Sequence, residues 1–307
     1  MDLRSLKYFL AVAETRSFSR AADTVHVSQP ALSRQVQILE RELGTPLFER
    51  HGRGVHLTDA GTMLRDLARS IVDQVAGVRE QVVARAAEPS GPCSLGIPPS
   101  LRSMVTLPVA ERMRSAYPKI YLRISEGMTM IVRELLSRGE ADVALISTIE
   151  PAGDLHCRPL VTEDLFLVAH PSRGLRLDKP LPVTELAGHP LIVTPPMNSL
   201  RRMVDAALTR RGLAANPILE ANMGPLMMRL IAGGVGSTVL PYSAIREEVD
   251  RREVSAAPIR GLRISWLIAT ARDRPLSLAA RTVIDVVRDE VRGAVSRGEW
   301  LTAKLNG

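Results

Sequence analysis

Apolar positions over residues 1–60 recur with helical spacing. Leu3, Leu6, Leu10 and Ala13 predict one face of a first helix. Ser17 is placed to cap a short second helix over residues 18–25, where adjacent Ala21 and Ala22 allow close packing. Leu32, Val36, Leu39 and Leu43 predict the core stripe of a third helix. Ser28 is its expected N-cap, and Pro30 falls in the first turn, where a missing N–H costs little. The link through His26 and Val27 is short, as a helix-turn-helix requires. Off the stripe stand Gln29, Pro30, Ser33, Arg34 and Gln37. Arg pairs with guanine, Gln with adenine and Ser with either, while Pro touches a thymine methyl, so this face is suited to reading DNA. Amphipathic helices are common, and periodicity alone leaves a ligand-free helical subdomain as the alternative.

The pattern then shortens. Residues 50–57 alternate as a hairpin with glycines in the turn, which predicts a wing. Arg53 at its tip is suited to a minor groove, and Arg50 to phosphate. The alternative is a surface hairpin with exposed arginines. Thr58 opens a long helix expected to reach residue 87. Leu64, Leu67, Ile71, Val75, Val78 and Val82 form a seam along it. A seam between two domains predicts pairing with a second chain, which would set two recognition helices about one DNA turn apart. Docking on its own domain is the competing reading. Pro89, Gly91 and Pro92 end the helix and form a hinge.

From Cys93 onward strands and helices alternate, which predicts an α/β layer architecture. Strands are expected at 93–97, 120–125, 142–146, 165–169, 191–194, 218–221, 238–240 and 265–270. Helices are expected at 101–117 (bent at Pro108), 130–138, 199–211, 226–232 and 278–292. The order predicts two lobes, residues 93–161 with 268–300 and residues 162–267. The domains are then 1–58 (DNA binding), 59–88 (linker and dimerisation) and 89–307 (effector binding).

Ligands in such sheets sit beyond the carboxyl ends of strands, at helix N-termini. That rule selects Ser100 and Arg102 after the first strand, Thr129 after the second, Ile146 ending the third, and Thr194, Asn198 and Arg202 in the other lobe. Capping is the alternative role for Ser100, Thr129 and Asn198. Met128, Met130, Met197, Met203, Met223, Met227 and Met228 fall in the same segments. Adaptable thioether walls and helix dipoles together predict an anionic ligand with an apolar or aromatic body, with Met128 and Met223 in contact with it. Ordinary core packing is the alternative for the methionines.

Net charge is +7. Residues 1–91 carry 12 Lys and Arg against 11 Asp and Glu, while the remainder carries 28 against 22. DNA binding therefore rests on placed residues rather than on a charge run. Cys93 and Cys157 lie far apart, and the six His residues show no metal spacing. No metal or cofactor is expected. No run is apolar enough to span a bilayer and no signal segment is visible, so a cytoplasmic protein is expected. No catalytic constellation or phosphate loop stands in the required context, which argues against an enzyme. A solute-binding receptor without a DNA role is the alternative class.

Residues 1–60 resemble the DNA-binding domain of LysR-type transcriptional regulators. The match runs through Ser17-Phe18-Ser19-Arg20-Ala21-Ala22, Val27-Ser28-Gln29-Pro30-Ala31-Leu32-Ser33 and Leu43-Gly44-Thr45-Pro46-Leu47-Phe48-Glu49-Arg50, and ends at Thr58-Asp59-Ala60-Gly61. A looser resemblance to the effector domain follows, at Gly96-Ile97-Pro98-Pro99-Ser100, Ser125-Glu126-Gly127 and Ile231-Ala232-Gly233-Gly234-Val235-Gly236. The resemblance implies an α+β multidomain chain: a winged helix-turn-helix, a linker helix and a two-lobed α/β domain like periplasmic binding proteins. It implies double-stranded DNA and a small-molecule effector as partners, a homodimer or homotetramer, and RNA polymerase as a further candidate partner. Ser100 and Thr129 match positions that line the family's effector pocket.

Overall fold

The computed structural model of the chain describes residues 1–51, 54–83, 88–147, 153 and 155–306. Two compact units result, Met1–Glu88 with Arg272–Leu278, and Pro89–Ala271 with Ala279–Gly307.

In the first unit, a reciprocal capping box between Asp2 and Ser5 starts α1 (Leu3–Thr15). The Ser17 hydroxyl accepts the Arg20 N–H and starts α2 (Phe18–Thr24). His26 turns the chain with φ 54°, and α3 (Gln29–Leu43) follows. Ser28 makes no side-chain cap; only its carbonyl serves the first turn, accepting from Leu32. Leu32, Val36 and Leu39 are buried as expected, whereas Leu43 is 41% exposed. The helix ends one residue later, at Gly44 with φ 70°, so nothing is left for Leu43 to pack beneath.

The wing pairs β1 (Phe48–His51) with β2 (Gly54–Leu57), joining Phe48 to Leu57 and Arg50 to Val55. Phe48 packs against Phe9 and Phe18, at centroid distances of 5.2 and 5.8 Å. It touches both hydrophobic clusters of this unit, one around Val12, Leu32 and Val36, the other around Phe9, Leu39 and Leu47. The Glu40 carboxylate accepts the Leu47 and Phe48 N–H groups at 2.8 and 3.3 Å, which braces the wing against α3.

Thr58 accepts the Gly61 N–H at 3.0 Å and caps α4 (Asp59–Val83). The expected seam divides in two. Leu64, Ala68 and Val72 pack on their own unit, while Met63, Leu67, Ile71 and Val75 form an exposed row. The side chains of Val78 and Val82 lie outside the described residues, as do residues 84–87.

The second unit opens with β3 (Gly91–Ile97), α5 (Leu107–Ala116), β4 (Ile120–Glu126), α6 (Thr129–Ser137) and β5 (Val143–Ser147). Pro108 does not bend a long helix. It sits in the first turn of α5, behind a 3-10 turn at Pro99–Leu101 and a π segment at Arg102–Thr106. Next come β6 (Leu155–Ala169), β7 (Pro190–Val193), α7 (Ser199–Thr209), β8 (Asn216–Glu220), α8 (Gly224–Ala232), β9 (Thr238–Pro241) and a short α9 (Arg246–Asp250) that periodicity does not reveal. The chain closes with β10 (Ser255–Ala271), α10 (Leu278–Ser296) and β11 (Lys304–Leu305).

β6 and β10 are the long strands, paired antiparallel from Leu155–Ala271 to Ala169–Ser255. One half of this ladder carries β5, β3 and β4; the other carries β9. Two α/β lobes therefore share two continuous strands. The register slips around Leu160, where Leu267 pairs with Pro159 but Trp266 with Val161. Only the ends of these strands are expected from the sequence. Pro258 opens the register shift that closes at Arg263, and Gly261, with φ 72°, lies within it.

At Gly61 a Cβ would stand 2.1 Å from the Leu47 carbonyl oxygen. Gly61→Ala is expected to destabilise the N-terminal unit by about 1–3 kcal/mol through overpacking. Urea unfolding should show the loss.

Candidate functional site

Two surfaces carry the expected chemistry. On α3, Gln29, Pro30, Arg34 and Gln37 are exposed and Ser33 is half-buried. All five line one open concavity, bordered by Arg41 and by Thr45 and Pro46 past the helix end. Arg34 forms no ion pair among the described residues. Glu40, the acidic residue of this surface, is occupied with the wing backbone. The face therefore presents free donors to a groove while its charge stays low. Arg53 lies outside the described residues, and so does the side chain of Arg50.

The second surface is a cleft of about 410 Å³ in the C-terminal unit, within the range usual for small-molecule sites. It brings together Ser100, Arg102, Met128, Thr129, Thr194, Asn198 and Met223. Arg202 lines a small recess beside it, with Met130 and Met197. Ile146 is a correction: its side chain is 1% exposed and packs in the core with Val132, Leu136 and Leu155. A strand side chain alternates between faces, and it is the next residue, Ser147, that reaches the recess. Met227 and Met228 join the cleft wall, and Met203 lines neither space. Glu248, Ala244 and Trp266 also line the cleft and were not singled out from sequence. Glu248 lies in the short α9 and Ala244 in the turn before it, where no periodic signal shows, whereas Trp266 falls inside the expected strand at 265–270, where an isolated Trp is a cue.

Capping separates the hydroxyl and amide candidates. Asn198 caps α7, accepting the Leu200 N–H at 2.8 Å, and its amide also reaches the Met128 sulfur at 3.6 Å. Neither Ser100 nor Thr129 caps its helix. Thr129 instead lies 3.1 Å from the Ser147 hydroxyl and accepts the Ser147 N–H at 3.3 Å. Ser147 in turn donates to Ser199, 3.0 Å away, so a hydroxyl chain runs from α6 across to α7.

Three helices, α6, α7 and α8, open toward the cleft, and α6 and α8 have no side-chain cap. Their first backbone N–H groups and dipoles favour an anion. The charged walls are mixed. Arg102 forms a two-point pair with Glu126, at 2.9 and 2.5 Å. Burial pushes the Glu248 carboxyl above its ordinary range.

Beneath the floor, the fully buried Glu163 of β6 receives four hydrogen bonds. Trp266 Nε1 donates to Oε1 at 2.7 Å and Trp300 Nε1 to Oε2 at 2.9 Å. Ser243 donates its hydroxyl to Oε1 at 2.7 Å and its backbone N–H to Oε2 at 2.9 Å. Burial pushes this carboxyl up, and the four donors pull it back.

A family model described as bacterial regulatory helix-turn-helix protein, lysR family, matches residues 3–62, and one described as LysR substrate binding domain matches residues 86–292. The regulator BbuR of Bordetella bronchiseptica is 32% identical over 305 residues, 98% of this chain and 93% of that protein. The nitrogen assimilation regulatory protein nac of Escherichia coli is 34% identical over 248 residues, 80% of each chain. Hydrogen peroxide-inducible genes activators are also similar, one from Haemophilus influenzae being 28% identical over 294 residues. Among solved structures, a full-length OxyR variant from Pseudomonas aeruginosa superimposes with a TM-score of 0.77 at 25% identity, covering 95% of both chains. Full-length CbnR in complex with its target DNA superimposes with a TM-score of 0.54 at 25% identity, covering 95% of this chain and all of that one.

The two cysteines differ in environment. Cys93 is buried in β3, and desolvation pushes its thiol well above the ordinary range, whereas Cys157 is half-buried. Alkylation of the native protein should therefore be confined to Cys157, with Cys93 reacting only on unfolding. Mass spectrometry of iodoacetamide-treated protein reads this directly, and rapid native labelling of Cys93 would contradict it.

Proposed function

This chain belongs to the LysR family of transcriptional regulators, and from that premise we propose the roles of its individual residues. Its N-terminal unit carries the family's DNA-binding helix-turn-helix and its C-terminal unit the effector-binding domain. Gln29, Pro30, Ser33, Arg34 and Gln37 read bases, and Arg50 and Arg53 contact the DNA backbone and minor groove. Ser100, Arg102, Met128, Thr129, Thr194, Asn198 and Met223 bind the effector, with Arg202 at the recess beside them. The observation that carries this reading is convergence: seven residues chosen one by one from strand-end loops and methionines line a single cleft.

The effector is an anion with an apolar body. Two uncapped helix N-termini support the anionic end, and four methionines with Trp266 support the apolar one. Domains run over 1–58, 59–88 and 89–307, the last with lobes 93–161 plus 268–300 and 162–267. The protein acts in the cytoplasm as a regulator without enzymatic activity of its own. No helix among the described residues is long and apolar enough to cross a membrane.

Met63, Leu67, Ile71 and Val75 support pairing of two chains along α4. They are 69, 57, 39 and 46% exposed on one helix face, an apolar row that a second copy would cover. Two such dimers would form a tetramer, and bound DNA would bring the protein to RNA polymerase.

Gel-shift titration with the promoter region beside its own gene tests the regulator reading. Binding should prefer that DNA over random sequence and weaken steeply with salt. Arg34→Ala should cost about 1–3 kcal/mol on the preferred site and much less on random DNA. Equal loss on both would contradict base reading. Leu67→Asp should shift sedimentation toward monomer without unfolding the N-terminal unit, because Leu67 faces away from that unit's core.

A further inference from the structure

Both tryptophans of the chain donate to one buried carboxylate, and they come from different places. Trp266 lies in the middle of β10 and lines the effector cleft. Trp300 belongs to the C-terminal segment, which lies beyond residue 292, where the family match ends. That segment is sewn along β6 where the lobes meet. Lys304 and Leu305 pair with Thr162 and Val161. The Asn306 N–H donates to the Leu160 carbonyl at 3.1 Å and its amide to the Thr162 hydroxyl at 2.9 Å. The Thr302 hydroxyl accepts the Asp164 N–H at 3.1 Å, and Thr302 holds φ 63°, a left-handed backbone that threonine rarely adopts. Residues 160–164 are thus bonded from one side by the C-terminal segment, at the register slip around Leu160.

Glu163 connects this splint to the cleft. Its Oε1 holds Trp266 and the Ser243 hydroxyl, and its Oε2 holds Trp300 and the Ser243 N–H. Ser243 precedes Ala244, another cleft-lining residue. A buried carboxylate without a nearby cation is costly unless donors satisfy it. Losing one donor leaves the buried charge under-compensated, and a carboxyl that then takes up a proton or turns disturbs its other three bonds.

We propose that Glu163 is a positioning residue for the effector cleft, and that the C-terminal segment Trp300–Asn306 sets the cleft's geometry by bonding to it. The inference rests on the cleft being the effector site, but it can be tested without any effector. Trp300→Phe keeps an aromatic side chain but removes the N–H donor together with part of the ring volume. Amide hydrogen exchange on the full-length variant should rise at residues 241–244 and 264–268 as well as at 160–164 and 300–306. The rise at the cleft segments should be about tenfold, the factor expected from losing one hydrogen bond to a charged group. A purely structural anchor would confine the change to residues 160–164, their ladder partners at 264–268 and the C-terminal segment, and unchanged exchange at 241–244 would overturn the proposal. Asn306→Ala, at the edge of the splint, serves if Trp300→Phe does not fold. It should raise exchange at 241–244, and unchanged exchange there would likewise overturn the proposal. Failure of every candidate ligand to bind would sink the effector reading instead, and would leave the exchange result standing.

Discussion

The C-terminal unit depends on one long antiparallel ladder, β6 against β10, that runs through both lobes. Two separate linkers would let the lobes move independently. Two continuous strands hydrogen-bonded to each other permit bending only where the ladder is irregular, and it is irregular around Leu160 and between Pro258 and Arg263. The buried carboxylate of Glu163 sits in the same stretch. It must keep its donors or carry an uncompensated charge in the interior, so the backbone of β6, the turn at Ser243 and two indole rings are held to one arrangement. The cleft inherits its floor from that constraint.

The N-terminal unit solves a different problem with similar economy. Its two hydrophobic clusters meet at Phe48, the first residue of the wing, which packs on Phe9 and Phe18 from two helices. The recognition helix and the wing are therefore fixed relative to each other by one aromatic side chain and by Glu40, which spends its carboxylate on the wing backbone. A surface acid that would repel phosphate is thereby turned to a structural task. What remains on the outer face of α3 is a short set of hydrogen-bonding groups with the guanidiniums of Arg34 and, nearer the helix end, Arg41.

Much of this was legible along the chain. Leu32, Val36 and Leu39 marked the buried side of α3, and the residues between them marked its outer face. The polar residues after strand ends marked the cleft, because sheet topology brings those ends to one side wherever the strands run parallel. Reading failed where a residue's role depends on what lies opposite. Ser28 has the chemistry of a cap but not the hydrogen bond, while Asn198 has both. Ile146 stands one residue before the end of the right strand, on the wrong face. The seam on α4 looked uniform, yet Leu64 turns inward and Leu67 outward, since a helix presenting two apolar rows can bury only one against its own unit.

The amino-acid sequence by itself determined the local order of the molecule: helix, turn, helix, wing, long helix, then alternating strands and helices. Capping, helical periodicity and turn chemistry act over a few residues, so they can be read from neighbours. Only the tertiary structure decided that Glu163 is buried between Trp266 and Trp300, residues more than a hundred positions away, and that the C-terminal segment binds the strand where the lobes meet. Hydrogen bonds over such separations leave no period in the chain. They depend on which surfaces the packed core brings together, and a lone glutamate in a strand looks the same in sequence whether water or two indoles will surround it.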